Sequence, residues 1–361
     1  MSETLAMDLD VVHETRYDYA SAVSVAQHLA HLQPLQDEHQ QLLDFSLAIS
    51  PLPSHQTESR DELGNAQCYF SLDQPHEQLC VRATSRVRVS ARFAELQADA
   101  SPAWDTLAAS LRYVARAPLQ RVVEYAMPSP FVPRLAELRE YALPSFPPGR
   151  PVAMGALSLM HRIHADFRYE SRSTDIDTPL ARAFAQKRGV CQDFAHVMVG
   201  CLRMLGLPAR YVSGYLLTRA ADSGEALVGA DASHAWVQVW CPGTPGVPQL
   251  GPGAGWLALD PTNDLVPATS HVRLAVGRDF GDVTPLGGVI RGGGHHRLTV
   301  GVTTRGRPAA GVLVATVDEQ EPATRTGGMS SENAGEITGE ITGSITGGRV
   351  NENAGERAGE P

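Results

Sequence analysis

The sequence predicts an α+β fold. An N-terminal β-sandwich comes first, then a domain in which a cysteine-bearing helix packs on an antiparallel sheet, then a disordered C-terminal tail. Three observations carry this. Val81, Ala83, Ser85, Val87 and Val89 alternate with Arg82, Thr84, Arg86, Arg88 and Ser90, the period of a strand with one wet face. Phe194, Val197, Met198, Cys201, Leu202 and Leu205 fall on one stripe of a helix that starts at Cys191. From about residue 320 the chain becomes a polar, glycine-rich repeat, with ENAGE at 332–336 and again at 352–356, which cannot bury a core.

The elements follow in order. Over 1–95, short apolar runs at 11–19, 42–49, 67–72 and 79–89 are separated by turn clusters such as Pro51-Leu52-Pro53, as in a small sandwich. His28 and His31 lie there without a carboxylate pair and read as surface or packing residues. Residues 96–151 form a helical, proline-rich linker packed between domains, with helices around Trp104–Val114 and Leu135–Tyr141. A compact domain spans 152–318. It opens with a helix carrying Met154, Leu157, Met160 and Ile163, on which His161 and His164 read as solvated. Thr178-Pro179 starts a second, short helix as N-cap and first-turn proline. The Cys191 helix ends at Gly206, where a left-handed cap belongs, and Pro208 prevents continuation. A strand over 209–217, a polar loop at 219–230 and a last strand near 298–302 complete the domain. Residues 319–361 are the tail.

Composition narrows the partners. The net charge of −10 argues against nucleic acid and against an anionic membrane surface. No apolar run of spanning length occurs, and the acidic start MSETLAMDLD is unlike a signal peptide, so a cytoplasmic protein is expected. The five cysteines, Cys68, Cys80, Cys191, Cys201 and Cys241, are scattered and form no CxxC pair. Neither a disulfide framework nor a zinc site is indicated, and no cofactor or metal is expected.

Cys191 stands apart because it occupies the first turn of its helix, where unpaired N–H groups and the positive end of the dipole favour a thiolate. Asp193 and His196 project away from it. Two later strands supply partners. In 232–240, His234, Trp236 and Gln238 share a face, and in 255–260, Trp256, Ala258 and Asp260 do. The connection at 241–255 holds five glycines and four prolines and reads as exposed, so the strands pair antiparallel. His234 at the start of one and Asp260 at the end of the other then meet on one face, directly opposed. The separations, 43 residues from Cys191 to His234 and 26 to Asp260, are too long for a local metal site and fit three elements meeting in space. Cysteine, histidine and aspartate in that relation are the parts for covalent acyl transfer: nucleophile, proton carrier and orienting carboxylate. On spacing alone, a catalytic trio and ordinary packing both stay open.

The runs RGVCQDFAH (188–196), LRMLGLPARYVSGYL (202–216), DASHAWVQVW (231–240), GWLALDPTND (255–264) and AVGRDFGDVTPLGG (275–288) resemble the bacterial transglutaminase-like family. The resemblance covers about 10–305. It implies a papain-like transglutaminase core behind a β-rich N-terminal region, with Cys191 as nucleophile, His234 as base and Asp260 as third member. It implies thiol-dependent acyl transfer on a peptide or protein substrate, by a cysteine protease, amidase or transglutaminase. Two other readings compete. One is a papain-like domain kept as a non-catalytic binding module, and the other is a Cys/His metal site, disfavoured by the scatter of the cysteines. Oligomeric state is not legible in the sequence.

Overall fold

The computed structural model describes residues 6–116, 120–171, 178–217, 233–251 and 253–308. The loop expected at 219–230 and the tail expected at 319–361 lie outside the described residues.

Five strands come first: β1 (Ala6–Ala30), β2 (Gln40–Ser50), β3 (His55–Arg60), β4 (Ala66–Leu72) and β5 (His76–Ser90). Helices α1 (Trp104–Ser110) and α2 (Ala136–Ala142) lie in the proline-rich stretch. Next come α3 (Val152–Asp166), the short strand β6 (Arg168–Tyr169), α4 (Leu180–Gln186), the short strand β7 (Arg188–Gly189) and α5 (Cys191–Met204). Strands β8 (Ala209–Leu216), β9 (His234–Trp240), β10 (Trp256–Leu259) and β11 (His271–Gly277) form the second sheet, and β12 (Leu286–Gly292) and β13 (His296–Pro308) follow.

The first sheet is built around one long strand, β1, which changes partner near its middle. β1 pairs with β5 along its first half and with β4 along its second. On its other edge β13 and then β12 run beside it, from Met7↔Pro308 to Ala30↔Leu286. β2 and β3 flank β5 and β4. The register of β1 breaks between Asp18 and Val23, where the sheet folds over. Its two leaves enclose Val23, Ala26, Phe70, Leu72, Leu79 and Val81, all buried. This curled antiparallel sheet is the expected sandwich, made by bending one sheet. The alternation in β5 holds: the even-numbered arginines face water, and Val81, Val87 and Val89 are buried.

At the other end of that leaf, Leu9, Val11, Val87 and Val89 join the core of the second domain. There α5 lies on the antiparallel sheet of order β10-β9-β8-β11. Phe194, Val197, Met198, Cys201 and Leu202 of α5 are at most 1% exposed. Each such side chain contributes roughly 1.5–3 kcal/mol by leaving water. Gly206, at φ +81°, ends the helix in the left-handed region.

Several local expectations change. α4 begins one residue late, with Pro179 itself at the N-cap. The connection at 241–255 is packed in part rather than exposed throughout: Cys241 and Thr244 are fully buried and Gln97 N–H donates to the Pro245 carbonyl, while Leu250 is 83% exposed. Gly246 sits against the backbone of Glu95, with no space for a Cβ. His28 and His31 are buried, and the His31 ring bonds the Thr284 carbonyl at 2.9 Å. Among the described residues no helix is long and apolar enough to cross a membrane.

Candidate active site

Cys191 is the first residue of α5. The turn before it is tight. Asp193 reaches back to accept the Val190 N–H at 2.8 Å, half of a capping box, since valine has no oxygen for the other half. A Cβ on Gly189 would lie 2.4 Å from that carboxylate, so glycine is required there. Asp193 and His196, expected to project away from Cys191, are both buried, 5% and 4% exposed. The His196 ring stacks on Phe131, contacts Tyr211 and accepts the Phe280 N–H. Burial holds its pKa down to about 4, so it is a neutral packing group.

β9 delivers His234 at its first residue, and β10 ends one residue before Asp260. Their pairing runs Leu259↔Val237, which sets Asp260 opposite Trp236. The expected face is kept and the expected direct opposition is not: Asp260 meets His234 on the diagonal. His234 Nε2 lies 2.8 Å from Asp260 Oδ2, with both side chains fully buried. The thiol stands beside this pair, with Sγ 4.0 Å from the carbonyl of Ser233, the residue before His234. Nδ1 of His234 is buried and has no partner of normal hydrogen-bond geometry among the described residues. It is the nitrogen left for the thiol. Burial alone would lower the His234 pKa, but the charge and hydrogen bond of Asp260, and then the Cys191 side chain, lift it to about 10.

Asp260 is held from several sides. Its Oδ1 accepts the Thr262 N–H at 2.9 Å and the Asn263 N–H at 3.3 Å. Its Oδ2 accepts the Asn263 amide at 2.8 Å and also meets His271 Nε2 at 3.2 Å. Burial would raise its pKa, but His234 first and His271 next hold it well below the usual carboxylate range. The loop behind it is tied to α3. His164 Nδ1 lies 3.0 Å from the Thr262 carbonyl, and His161 pairs with Asp264, so these histidines are not merely solvated.

His271 was not singled out from sequence, and neither was Asn263. His271 opens β11, and only the β8–β11 pairing brings it over Asp260. Burial keeps His271 below its ordinary pKa despite the carboxylate. Its Nδ1 lies 2.9 Å from the Ser270 hydroxyl, which completes a neutral ring that donates to Asp260. The Trp236 ring packs against both histidines, 6.0 Å from His234 and 5.1 Å from His271, whose rings are themselves 6.0 Å apart. It passes over Gly214, where a Cβ would come within 2.4 Å of the indole and 2.1 Å of the Val272 carbonyl.

Among the described residues, His234, Asp260 and His271 form the one group of three metal-ligating side chains that lie together. Their direct contacts at 2.8 and 3.2 Å are hydrogen bonds to one shared oxygen. An ion held at about 2.0–2.1 Å from each ligand would have to push them apart. The arrangement suits proton-coupled chemistry at a neighbouring thiol better than metal binding.

Two family models match this chain. Residues 9–88 match the bacterial transglutaminase-like N-terminal region, and residues 149–261 match the transglutaminase-like superfamily. An uncharacterised protein of Mycobacterium tuberculosis is 37% identical over 282 residues, covering 78% of this chain and 86% of the relative.

The chain belongs to the bacterial transglutaminase-like family.

A second relative, a protein-glutamine gamma-glutamyltransferase of Pseudomonas aeruginosa, is 32% identical over 121 residues, 33% of this chain and 17% of that enzyme. A solved structure provisionally assigned as a cysteine protease, from Cytophaga hutchinsonii, shares the fold. It aligns with a TM-score of 0.61 at 22% identity, over 83% of this chain and 91% of that one. The transglutaminase-like match ends at residue 261, so it takes in Cys191, His234 and Asp260 and leaves out His271.

Proposed function

We propose that this transglutaminase-like protein catalyses thiol-dependent acyl transfer on peptide or protein amides, with Cys191 as nucleophile, His234 as proton carrier and Asp260 as the group that orients and charge-balances it. The observation that carries the reading is the buried His234–Asp260 pair at 2.8 Å, with the helix-start thiol beside the remaining ring nitrogen. In the first half-reaction the Cys191 thiol gives its proton to His234 Nδ1, and Sγ bonds to the amide carbonyl carbon. The oxyanion that forms is met by the Cys191 backbone N–H, which has no intrahelical acceptor at the first helical position. The C–N bond then breaks, and His234 gives its Nδ1 proton to the departing amine, leaving a thioester. In the second half-reaction water or an amine gives a proton to His234 and attacks the thioester carbonyl, and Cys191 is released.

Asp260 stays ionised throughout, and His271 and the Asn263 amide hold the same Oδ2 that meets His234. The glutamyltransferase relative supports a glutamine-type amide as the acyl donor and an amine as one acceptor. The intact trio is what favours an enzyme over a non-catalytic binding module.

Intact-mass measurement on the full chain with a pool of peptide amides tests this. Wild type should gain the acyl mass of a donor, mapping to Cys191, and Cys191→Ala should gain none. Added amine should shorten the life of the adduct if the protein is a transferase, and leave it unchanged if it is a hydrolase. An acyl mass mapping to any other residue would overturn the assignment.

A further inference from the structure

Behind the His234–Asp260–His271 group, a small cavity of about 20 Å³, partly open to solvent, lies between the two sheets. Arg92 follows β5 and Arg273 belongs to β11, and both line it together with Trp236, Gln238 and His271. The two guanidinium groups are 8% and 10% exposed and share one carboxylate, that of Asp37. Each has five N–H donors and spends one on Asp37. A third buried cation, Arg210, stands beside the wall. It donates to Gln238 Oε1 at 2.7 Å and stacks over Trp256 at 4.3 Å, and it has no carboxylate partner among the described residues. Three buried guanidinium charges thus face one carboxylate.

A second, independent feature points the same way. Trp236 is fully buried, and its indole N–H finds no acceptor among the described residues. A buried donor left unpaired costs about 1–3 kcal/mol. The wall is short of both negative charge and acceptors. Consistent with this, burial and then mutual repulsion hold Arg273 down to about 10. Arg210 is held down to about 10 chiefly by burial.

We infer that this cavity is a binding site for a small oxyanion of phosphate size, held by Arg92, Arg273 and the Trp236 indole N–H. A tetrahedral oxyanion offers the acceptors that Asp37, already bonded to both arginines, does not. Bidentate guanidinium contacts suit such an anion. Its charge would sit against His271, one hydrogen bond from Asp260, so occupancy couples electrostatically to the candidate active site from the side away from Cys191's helix. Because it rests on the arginines and the indole, the inference stands whether or not Cys191 is a nucleophile.

The test is calorimetric titration of inorganic phosphate into the full-length protein at low ionic strength, with chloride as control. A crystal soaked in selenate locates the site by anomalous scattering. Expected are saturable one-site binding, at least tenfold weaker in Arg92→Gln, and a selenium peak within hydrogen-bond distance of both guanidinium groups. A crystal soaked in excess selenate that shows only water between Arg92 and Arg273 would overturn it. Binding that is unchanged in Arg92→Gln would overturn it as well. Should Arg92→Gln fail to fold, the wild-type selenium peak decides alone.

Discussion

Asp260 reaches His234 diagonally across the β9–β10 pair, from a position directly opposite Trp236. The diagonal leaves the Trp236 ring free to cross β8 and pack against both His234 and His271. One carboxylate oxygen thus bonds two histidines whose pKa values move in opposite directions: Asp260 pushes His234 up, while burial keeps His271 down.

The first prediction concerns that carboxylate. With its pKa raised to about 10, His234 lends stability that is complete below about 6.5, its unfolded value, and is lost as pH rises through 10. The Asp260 contribution has the opposite sign: present above the ordinary carboxylate value, and lost as pH falls toward the folded one. Asp260→Asn should therefore move the alkaline limb of kcat/KM from near 10 toward neutrality and lower its plateau by about 10²–10⁴-fold. Breaking the buried pair should also cost about 3–5 kcal/mol in urea unfolding. A pH–rate profile of both proteins checks the shift.

Thiol reactivity supplies the second. Cys201 and Cys241 are fully buried, and burial pushes the Cys201 thiol up to about 12 and Cys241 higher still. Cys68 and Cys80 are also pushed up by burial. In the folded protein at pH 7, iodoacetamide should alkylate Cys191 first and Cys201 and Cys241 last, by peptide mass mapping over time. Labelling of Cys191 no faster than Cys68 would remove it as the proposed nucleophile.

Gly214→Ala isolates the Trp236 packing. The added methyl has 2.1 Å to the Val272 carbonyl and 2.4 Å to the indole, so sheet or ring must move. A loss of about 1–3 kcal/mol is expected in denaturant unfolding, with quenched or shifted tryptophan emission.

Acid stability follows from three buried histidines. His13, His28 and His196 are each held down to about 4 by burial. On unfolding each binds a proton between its folded value and about 6.5, so their contribution is complete above 6.5 and erodes as pH falls toward 4. The unfolding free energy should fall by about 1.4 kcal/mol per pH unit for each histidine within that window. Replacing His13, whose ring bonds Tyr215 at 2.9 Å, should remove about one of the three protons from the slope.

Local periodicity made much of the fold legible. The α5 stripe, its glycine cap, the β5 alternation and the shared face of His234 and Asp260 all follow from side-chain direction within one element. What was not legible depends on partners distant in the chain. The pairing of β1 with β13 joins Leu9 to Gly306, and no short-range pattern in either strand names the other. His271 was missed for the same reason, since its place over Asp260 depends on β11 docking beside β8. The register of β9 with β10 was off by two residues because the packed 241–255 connection, rather than a tight turn, sets it. Helical phase turns Asp193 and His196 away from Cys191 but cannot show that the far side of α5 is also covered, so their burial was not legible.

The long edge of β1 has a consequence for how the chain is made. Its outer neighbours, residues 286–308, emerge from the ribosome some 250 residues after β1 itself (roughly 10–50 seconds at ordinary elongation rates). Until then, β1 presents a row of unpaired backbone groups that could recruit a strand from another nascent chain. The last strands of the sheet are thus a closing seam, and everything that carries the candidate active site must be synthesised before that seam can form.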